Sequence, residues 1–193
     1  MDVAIIDYGA GNVKSLQFAL ERLGVQARLT HDWELIQKAD KVIFPGQGAA
    51  ASAMKKLTAT GLDQWIPQLQ QPVLGICLGM QLLCSSTAEG NSPGLGLIKA
   101  HVERFPNTVK VPQMGWNTIF SLQSNLFEKI EEDAYMYLVH SYFVPVIEET
   151  IAQSDYAGNY SVALQKDNFY GVQFHPEKSS TAGQQLLDNF LKL

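Results

Sequence analysis

Residues 72–84 read PVLGICLGMQLLC, an apolar run that two glycines interrupt on either side of one cysteine. The run predicts a strand over residues 72–76 and a helix after the cysteine, joined by a sharp turn. Gly75 and Gly79 suit such a turn, because glycine permits strained backbone angles and close approach around Cys77. A strand, Gly-x-nucleophile-x-Gly and a helix together form the nucleophile-elbow pattern, here with cysteine in place of serine.

The helix that follows Cys77 favours chemistry at its sulfur. The exposed N–H groups and the dipole at a helix N-terminus stabilise a thiolate relative to a thiol. The same N–H groups can stabilise an oxyanion. The alternative is that Cys77 is a small buried apolar residue ahead of a helix, and this fragment alone does not separate the two interpretations.

The first half of the chain alternates short apolar runs with helical patterns. Strands are predicted at residues 3–6, 25–29, 41–44 and 72–76, and helices at 13–23, 32–36 and 49–57. Asn12 is a suitable N-cap for the first helix, and Gly24 is placed to end it. This alternation is typical of a parallel sheet with helices on both faces.

The second half is richer in strands. They are predicted at residues 97–105, 110–120, 135–144, 150–155, 161–165 and 169–174, before a last helix that Ser180 would cap. No Ser/Gly/Pro-rich linker separates the halves. We therefore predict one α/β domain over residues 1–193, with a central, mostly parallel sheet flanked by helices and an antiparallel extension.

Composition excludes several classes of function. The 193 residues include 46% hydrophobic and 17% charged residues, which is ordinary for a globular protein with one substantial core. A net charge of −5 gives no electrostatic footprint for nucleic acid or an anionic membrane. We see no export signal or membrane-spanning run, so we expect a cytoplasmic protein. Two cysteines, Cys77 and Cys84, exclude a disulfide framework.

A thiolate nucleophile needs a base, and four histidines are available. His31 has the setting of a surface residue, His101 lies in a predicted strand without an acid nearby, and His140 has the setting of a core or loop histidine. His175 follows a predicted strand and begins His-Pro-Glu. If this segment is extended, Glu177 lies on the same side as the His175 ring and can fix its tautomer.

The turn after the third strand could complete the site. Residues 44–48 read FPGQG, and the glycines allow the backbone N–H of Gln47 or Gly48 to turn toward a carbonyl oxygen. Together with the N–H of Leu78, this turn would form an oxyanion hole. Residues 9–14 lack the third glycine of a dinucleotide fingerprint, and neither a phosphate loop nor a zinc spacing occurs, so we expect no metal and no cofactor.

Together these motifs resemble the class I, or triad-type, glutamine amidotransferase family. Pro-Gly-x-Gly at 45–48, Gly-x-Cys-x-Gly-x-Gln at 75–81 and His-Pro-Glu at 175–177 occur in the family's order. Within the family, DYGAGN at 7–12, VPQMGWN at 111–117, VHSY at 139–142 and HPEKS at 175–179 are most similar to glutaminase subunits of histidine biosynthesis. The resemblance runs over essentially the whole chain.

The resemblance implies hydrolysis of L-glutamine to glutamate and ammonia through a γ-glutamyl thioester. Cys77 would be the nucleophile, His175 the general base and acid, and Glu177 the residue that orients His175. Substrate binding would fall to Gly46, Gln81, Ser141 and Tyr142, and the oxyanion donors would be the backbone amides of Gln47, Gly48 and Leu78.

The resemblance also implies a partner. Ammonia would pass to a (β/α)8-barrel cyclase subunit in a heterodimer, which makes imidazole glycerol phosphate and an aminoimidazole carboxamide ribotide. Positions expected near that interface are Gly11, Asn12, Trp116, Asn117, Tyr137 and Lys178. The glycines at 46 and 48 permit a peptide flip, so the oxyanion turn could stay unformed until the partner binds its ligand.

Two positions depart from the family pattern. Position 47 is Gln instead of a small apolar residue, but only its backbone is expected to act. Position 113 is Gln instead of His, which weakens any role expected for that side chain. Three alternatives stay open: a glutaminase subunit of a different synthase, a non-catalytic binding subunit on the same fold, and a thiol peptidase.

Overall fold

The structure, a computed structural model, describes residues 1–9 and 13–193. Its centre is a seven-stranded sheet in the order β11-β12-β13-β4-β3-β1-β2. The strands of this sheet are β1 Val3–Ile6, β2 Arg28–Thr30, β3 Lys41–Phe44, β4 Val73–Ile76, β11 Thr150–Asp155, β12 Asn159–Lys166 and β13 Phe169–Val172. Five neighbouring strands, from β13 to β2, run parallel, and β12 and β11 extend one edge as antiparallel strands. The expected mostly parallel α/β sheet with an antiparallel extension is therefore confirmed.

Two smaller sheets complete the strands. A four-stranded sheet has the order β10-β7-β5-β6, and its strands are β5 Cys84–Thr87, β6 Ser92–Pro93, β7 Ile98–Arg104 and β10 Tyr142–Phe143. A separate hairpin pairs β8 Gln113–Ile119 with β9 Ala134–His140 in antiparallel register, with Trp116 opposite Tyr137. The predicted strand over 135–144 is thus two strands, because the chain leaves the hairpin at Ser141 and pairs next with β7.

The helices cover both faces of the central sheet. They are α1 Lys14–Arg22, α2 Trp33–Lys38, α3 Ala50–Thr60, α4 Leu62–Trp65, α5 Leu78–Leu83 and α6 Ser180–Lys192. The inner strands are buried on both sides, so that Val3 and Ile5 of β1 pack in one apolar cluster and Ala4 and Ile6 in the other. A parallel sheet buried on both faces explains why these strands read as continuous apolar runs.

Several predicted boundaries change for local physical reasons. Gly24 ends α1 as expected: with φ +78° it closes a turn in which its own N–H and that of Val25 donate to Glu21 and Leu20. This closure keeps residues 24–27 out of the sheet, so β2 begins at Arg28 instead of residue 25. Asp32 caps α2 by accepting from the Glu34 N–H, as its position indicated.

Ser180 does not cap the last helix, contrary to the prediction. It is the first residue of α6, with φ +52°, and Ser179 occupies the N-cap position. The Ser179 hydroxyl makes no cap either, because it donates to the carbonyl of His175 and accepts from the Tyr137 N–H. The proposed Asn12 cap lies outside the described residues.

The parallel register gathers the loops that matter at one edge of the sheet. Ile76 of β4 lies beside Val172 of β13, and Phe44 of β3 lies beside Gly75. The segments that begin at Cys77, Gln173 and Pro45 therefore leave the sheet at neighbouring points. Ligand sites of open α/β sheets form at this carboxyl edge.

Candidate active site

Cys77 stands on a sharp, strained turn between β4 and α5. Its backbone angles are φ 54° and ψ −110°, a region that non-glycine residues avoid without strong support from their surroundings. Its N–H donates to the Val172 carbonyl at 2.8 Å, and its carbonyl accepts from the Gln81 N–H at 3.3 Å. The strand–turn–helix expected of a nucleophile elbow is therefore present.

The two glycines of the elbow are required by close backbone contact. A Cβ on Gly79 would lie 2.0 Å from the carbonyl oxygen of Phe44, and one on Gly75 would lie 2.8 Å from the Met80 nitrogen. Gly46 has the same constraint, since its Cβ would meet the Gly79 nitrogen at 2.5 Å. The turn over residues 45–48 is thereby packed directly against the elbow.

His175 and Glu177 form a buried pair beside Cys77. The Nδ1 atom of His175 lies 2.9 Å from Oε1 of Glu177, and their side chains are 3% and 7% exposed. The sequence suggested an extended connection between the two residues, but this prediction was wrong. Pro176–Lys178 forms a 3₁₀ turn, in which the Lys178 N–H donates to the His175 carbonyl. This turn, and not strand alternation, brings the carboxylate to the ring.

The surroundings of His175 favour its charged form. Burial lowers the pKa of His175, but hydrogen bonds to Cys77 and Glu177 and their negative charges raise it by more, to about 10. Cys77 is within hydrogen-bonding reach of the ring, which is the arrangement of a nucleophile beside its base. A protonated His175 is ready to give a proton to a leaving nitrogen.

Cys77 opens onto a cleft of about 450 Å³. Of the predicted substrate and oxyanion residues, Gln47, Gly48, Leu78, Gln81, Ser141 and Tyr142 line it. Gly46 does not line the cleft. It is buried against the elbow, and the absence of a Cβ allows this close packing. The side chain of Gln81 is 5% exposed, and its Nε2 donates to the Tyr142 carbonyl at 3.1 Å and to Gln173 at 2.9 Å.

Glu89 is a cleft residue that the sequence analysis missed. It lines the cleft, and its Oε2 accepts from the Ala50 N–H at 2.8 Å, where α3 begins. The sequence carried one usable signal, since Glu89 is the lone acidic residue between Asp63 and Glu103. A carboxylate in such a cleft is suited to an ammonium group.

Some of the positions expected at a partner interface lie beside the cleft. Trp116 is 52% exposed on β8 and packs edge-on against Tyr137 of β9, whose ring also lies under the Lys178 ammonium. Lys178 lines the cleft as well. Asn117 donates to the Asp155 carbonyl, so its amide serves the fold. Gly11 and Asn12 lie outside the described residues.

The other histidines have ordinary settings. His31 and His101 are exposed, and His101 pairs with the hydroxyl of Ser86 at 2.8 Å. His140 is 6% exposed beside the cleft, and burial lowers its pKa to about 4, so it is neutral. Gln113, which departs from the family pattern, is buried and accepts from the Tyr160 hydroxyl at 3.0 Å.

The described residues contain neither a metal-binding cluster nor a helix that could span a membrane. Across residues 1–9 and 13–193, no three His, Cys, Asp or Glu side chains come together as a metal site requires. In the same part of the chain, none of the helices has the length and apolar character needed to cross a bilayer.

Comparison with known proteins agrees with this geometry. The family model for glutamine amidotransferase class-I matches residues 4–193. The "Imidazole glycerol phosphate synthase subunit HisH" of Bacteroides fragilis strain YCH46 is 53% identical over 196 residues and the whole of both chains. The protein of the same name from Haemophilus influenzae strain KW20 is 46% identical over all of this chain and 98% of that one.

The fold has relatives among solved structures. A crystal structure of a glutamine amidotransferase, 20% identical, superposes with a TM-score of 0.77 over 100% of this chain and 98% of that one. At this identity the superposition supports the fold alone. Membership of the family rests on the family model and the full-length relatives. The elbow, the buried His–Glu pair and these full-length matches show that the chain belongs to the class-I glutamine amidotransferases.

Proposed function

We propose that the chain hydrolyses L-glutamine to glutamate and ammonia, as the glutaminase subunit of an imidazole glycerol phosphate synthase in histidine biosynthesis. The observation that carries the chemistry is that Cys77 lines the cleft within hydrogen-bonding reach of the buried His175, whose Nδ1 lies 2.9 Å from Oε1 of Glu177. The relatives that are about half identical over their full length carry that subunit name.

The first half of the reaction uses the charged pair. The Cys77 thiolate attacks the γ-carbonyl carbon of glutamine, and the carbonyl oxygen becomes an oxyanion. As this intermediate collapses, the carbon–nitrogen bond breaks and His175 gives its proton to the leaving nitrogen, which departs as ammonia. The product on the enzyme is a γ-glutamyl thioester on Cys77.

The second half regenerates the pair. His175 is now neutral and takes a proton from water, whose oxygen attacks the thioester carbon. The carbon–sulfur bond breaks, glutamate leaves, and the sulfur and imidazolium return to their starting charges. Glu177 holds the His175 tautomer and stabilises the imidazolium through both halves.

The oxyanion would be held by backbone amides. Leu78 is the first residue of α5, so its N–H has no partner within the helix. Gln47 and Gly48 line the same cleft, and the turn that carries them is fixed against the elbow at Gly46. An amide of this turn together with that of Leu78 makes the two-donor hole we propose.

The far end of glutamine would be recognised across the cleft. The Glu89 carboxylate suits the α-ammonium group, and its charge is held by the Ala50 N–H. Both observed bonds from Gln81 use its amide nitrogen, so its side-chain oxygen is the atom we assign to the substrate. The backbones of Ser141 and Tyr142, where the chain passes from β9 to β10, would take the α-carboxylate.

Ammonia would go to a (β/α)8-barrel cyclase subunit in a heterodimer. A patch of Met114, Trp116, Tyr135 and Tyr137 stands on the solvent side of the β8–β9 hairpin, and the first three are more than half exposed. Lys178 joins this patch to the cleft. An exposed aromatic patch beside a catalytic cleft is suited to a partner that receives the product.

The test is glutamate release from L-glutamine by the purified chain, alone and with the purified cyclase and its nucleotide ligand. We expect strong stimulation by the liganded cyclase and loss of activity in Cys77→Ala. Cys84→Ala is the matched control: that thiol is fully buried, burial raises its pKa to about 12, and it has no route to the cleft lining.

Each alternative has its own outcome in this experiment. Glutaminase activity that the liganded cyclase does not change would favour a subunit of a different synthase. Retained activity in Cys77→Ala would contradict the elbow mechanism. Absence of activity under both conditions would favour a non-catalytic subunit, and cleavage of peptides in preference to glutamine would favour a thiol peptidase.

A further inference from the structure

Gln173 lies behind the nucleophile and out of reach of solvent. It is the first residue after β13, it is 0% exposed, and it is not part of the cleft lining. Its backbone N–H donates to the Val162 carbonyl at 2.8 Å, which fixes the main chain at the edge of the sheet. A fully buried amide at this place needs partners for both ends of its side chain.

Those partners are the nucleophile and a residue of the cleft wall. Nε2 of Gln173 lies 3.7 Å from Sγ of Cys77, and Oε1 of Gln173 accepts from Nε2 of Gln81 at 2.9 Å. The second bond fixes which end of the amide faces the sulfur, since the oxygen is already used. The sulfur therefore faces an N–H donor, which favours its anionic form, as well as the Val139 carbonyl oxygen at 3.9 Å, to which only a thiol can donate.

The chain of bonds continues to the substrate side. Gln81 donates from the same nitrogen to the carbonyl of Tyr142. Tyr142 lies where the chain passes from β9 to β10, the segment whose backbone we propose binds the α-carboxylate. One continuous hydrogen-bonded path thus runs from the Cys77 sulfur through two amides to the wall of the cleft. Cys77 and Gln81 are buried, Tyr142 is partly buried, and Gln173 is completely enclosed.

We propose that Gln173 is a positioning residue, which holds the Cys77 sulfur as a thiolate and keeps it in register with the Gln81 side of the substrate cleft. Gln173 does not touch the substrate and acts only through these two neighbours. The inference rests on the proposed glutaminase function of Cys77. It adds a second donor to the sulfur, independent of His175.

Other charged or titratable groups also face this sulfur. His175 bonds to the sulfur, and Glu177 lies behind His175. Burial raises the pKa of Tyr8, and the nearby charge of Cys77 raises it further. His140, Glu89 and Lys178 line the same cleft. A variant at Gln173 leaves all six groups in place, so a change in thiol titration can be assigned to the lost amide.

The test is the pH dependence of Cys77 alkylation by iodoacetamide in the full chain, followed by mass spectrometry. Gln173→Met keeps the length of the side chain and removes the donor. We expect alkylation of Cys77 near neutral pH to slow by about 10-fold, as the thiolate form requires a higher pH. Gln173→Glu also places an acceptor against the sulfur, and the slowing should be larger. Gln165→Met, where the amide bonds to Tyr170, is the matched control.

Steady-state kinetics with the liganded cyclase provide the second readout. We expect Gln173→Met to lower kcat by about 10-fold and to raise KM, because both the sulfur and Gln81 lose their anchor. If the path acts as a unit, adding Gln81→Met to Gln173→Met costs less than the two separate losses multiplied together. A variant that merely unfolds would lose its far-ultraviolet dichroism, and Gln81→Met alone then tests the path from the other end.

The two hypotheses fail in different ways. An unchanged alkylation profile and unchanged kinetics in folded Gln173→Met would overturn the positioning role and leave the glutaminase intact. Wild-type protein that lacks both glutaminase activity and a reactive Cys77 would overturn the proposed function itself. Strict multiplication of the two losses would contradict a connected path.

Discussion

The Nδ1 atom of His175 lies 2.9 Å from Oε1 of Glu177, although the two residues are linked by a 3₁₀ turn and not by extended chain. Both side chains are almost withdrawn from solvent, and among the described residues the second carboxylate oxygen of Glu177 is buried without a hydrogen-bond partner. The carboxylate is therefore directed at the imidazole alone. We expect this contact to set the tautomer and the orientation of the His175 imidazole and, together with Cys77, to favour its charged form.

Replacement of Glu177 should cost less activity than replacement of His175. Orientation is a smaller task than proton transfer, so we expect Glu177→Ala to lower kcat by about 10²-fold and His175→Ala by about 10⁴-fold or more. Glu177→Gln keeps the shape and removes the charge. The measurement is glutamate release with the liganded cyclase; an equal loss in both alanine variants would contradict the assigned roles.

The charge on His175 should also stabilise the fold in a pH-dependent way. Its pKa rises from the usual 6.5 to about 10 on folding, so its contribution is fully present below about pH 6.5 and is lost as the pH rises through 10. We expect the stability difference between wild type and His175→Gln to be largest near pH 6 and to shrink toward pH 10. Urea unfolding across this range measures it, with exposed His31→Gln as control. A difference that widens with pH would refute the assigned sign.

Alanine at Gly79 should disrupt the elbow. Its Cβ would lie 2.0 Å from the Phe44 carbonyl oxygen, a clash that only backbone movement relieves. Gly24→Ala is the control, because that Cβ meets nothing within 4 Å and only the positive φ opposes it, at a cost of about 1 kcal/mol. We expect Gly79→Ala to lose clearly more stability than Gly24→Ala and to lose activity. Comparable losses in urea unfolding would mean that the backbone yields easily.

Tyr8 should support the oxyanion turn. Its buried hydroxyl donates to the Pro45 carbonyl at 2.8 Å, at the start of the turn over residues 45–48. Tyr8→Phe leaves that carbonyl without this donor, so we expect a loss of about 1 kcal/mol of stability and a kcat reduced more than KM is changed. Tyr156→Phe is matched, since its exposed hydroxyl donates to the Lys110 carbonyl at 2.7 Å. Equal effects of the two variants on kcat would separate Tyr8 from the turn.

Glu89 should govern affinity for glutamine. Glu89→Gln retains an acceptor for the Ala50 N–H but removes the charge that faces the cleft. We expect KM for glutamine to rise by about 10-fold or more with little change in kcat, because the α-ammonium takes no part in the chemistry. Exposed Glu148→Gln is the control. An unchanged KM would remove Glu89 from substrate recognition.

The amino-acid sequence alone predicted the elbow at Cys77 and most of the architecture. Apolar runs alternating with helical patterns predicted the parallel strands, because a sheet buried on both faces needs continuous apolar residues. Gly75 and Gly79 predicted the elbow. Only glycine fits at these positions, because backbone atoms lie within 3 Å of where a Cβ would be. These features are local, and local signals survive in a linear sequence.

The meeting of distant segments could be seen in the three-dimensional structure alone. Glu89, Gln173 and Tyr8 carry no motif, and their roles depend on partners 39, 96 and 37 residues away along the chain. Ser180 was predicted to cap the last helix, but it is the first residue of that helix. Ser179 occupies the N-cap position, and its hydroxyl is bonded to His175 and Tyr137. Sequence patterns describe which face of an element is apolar; which polar groups share a buried space is set by the register of the strands that bring them together.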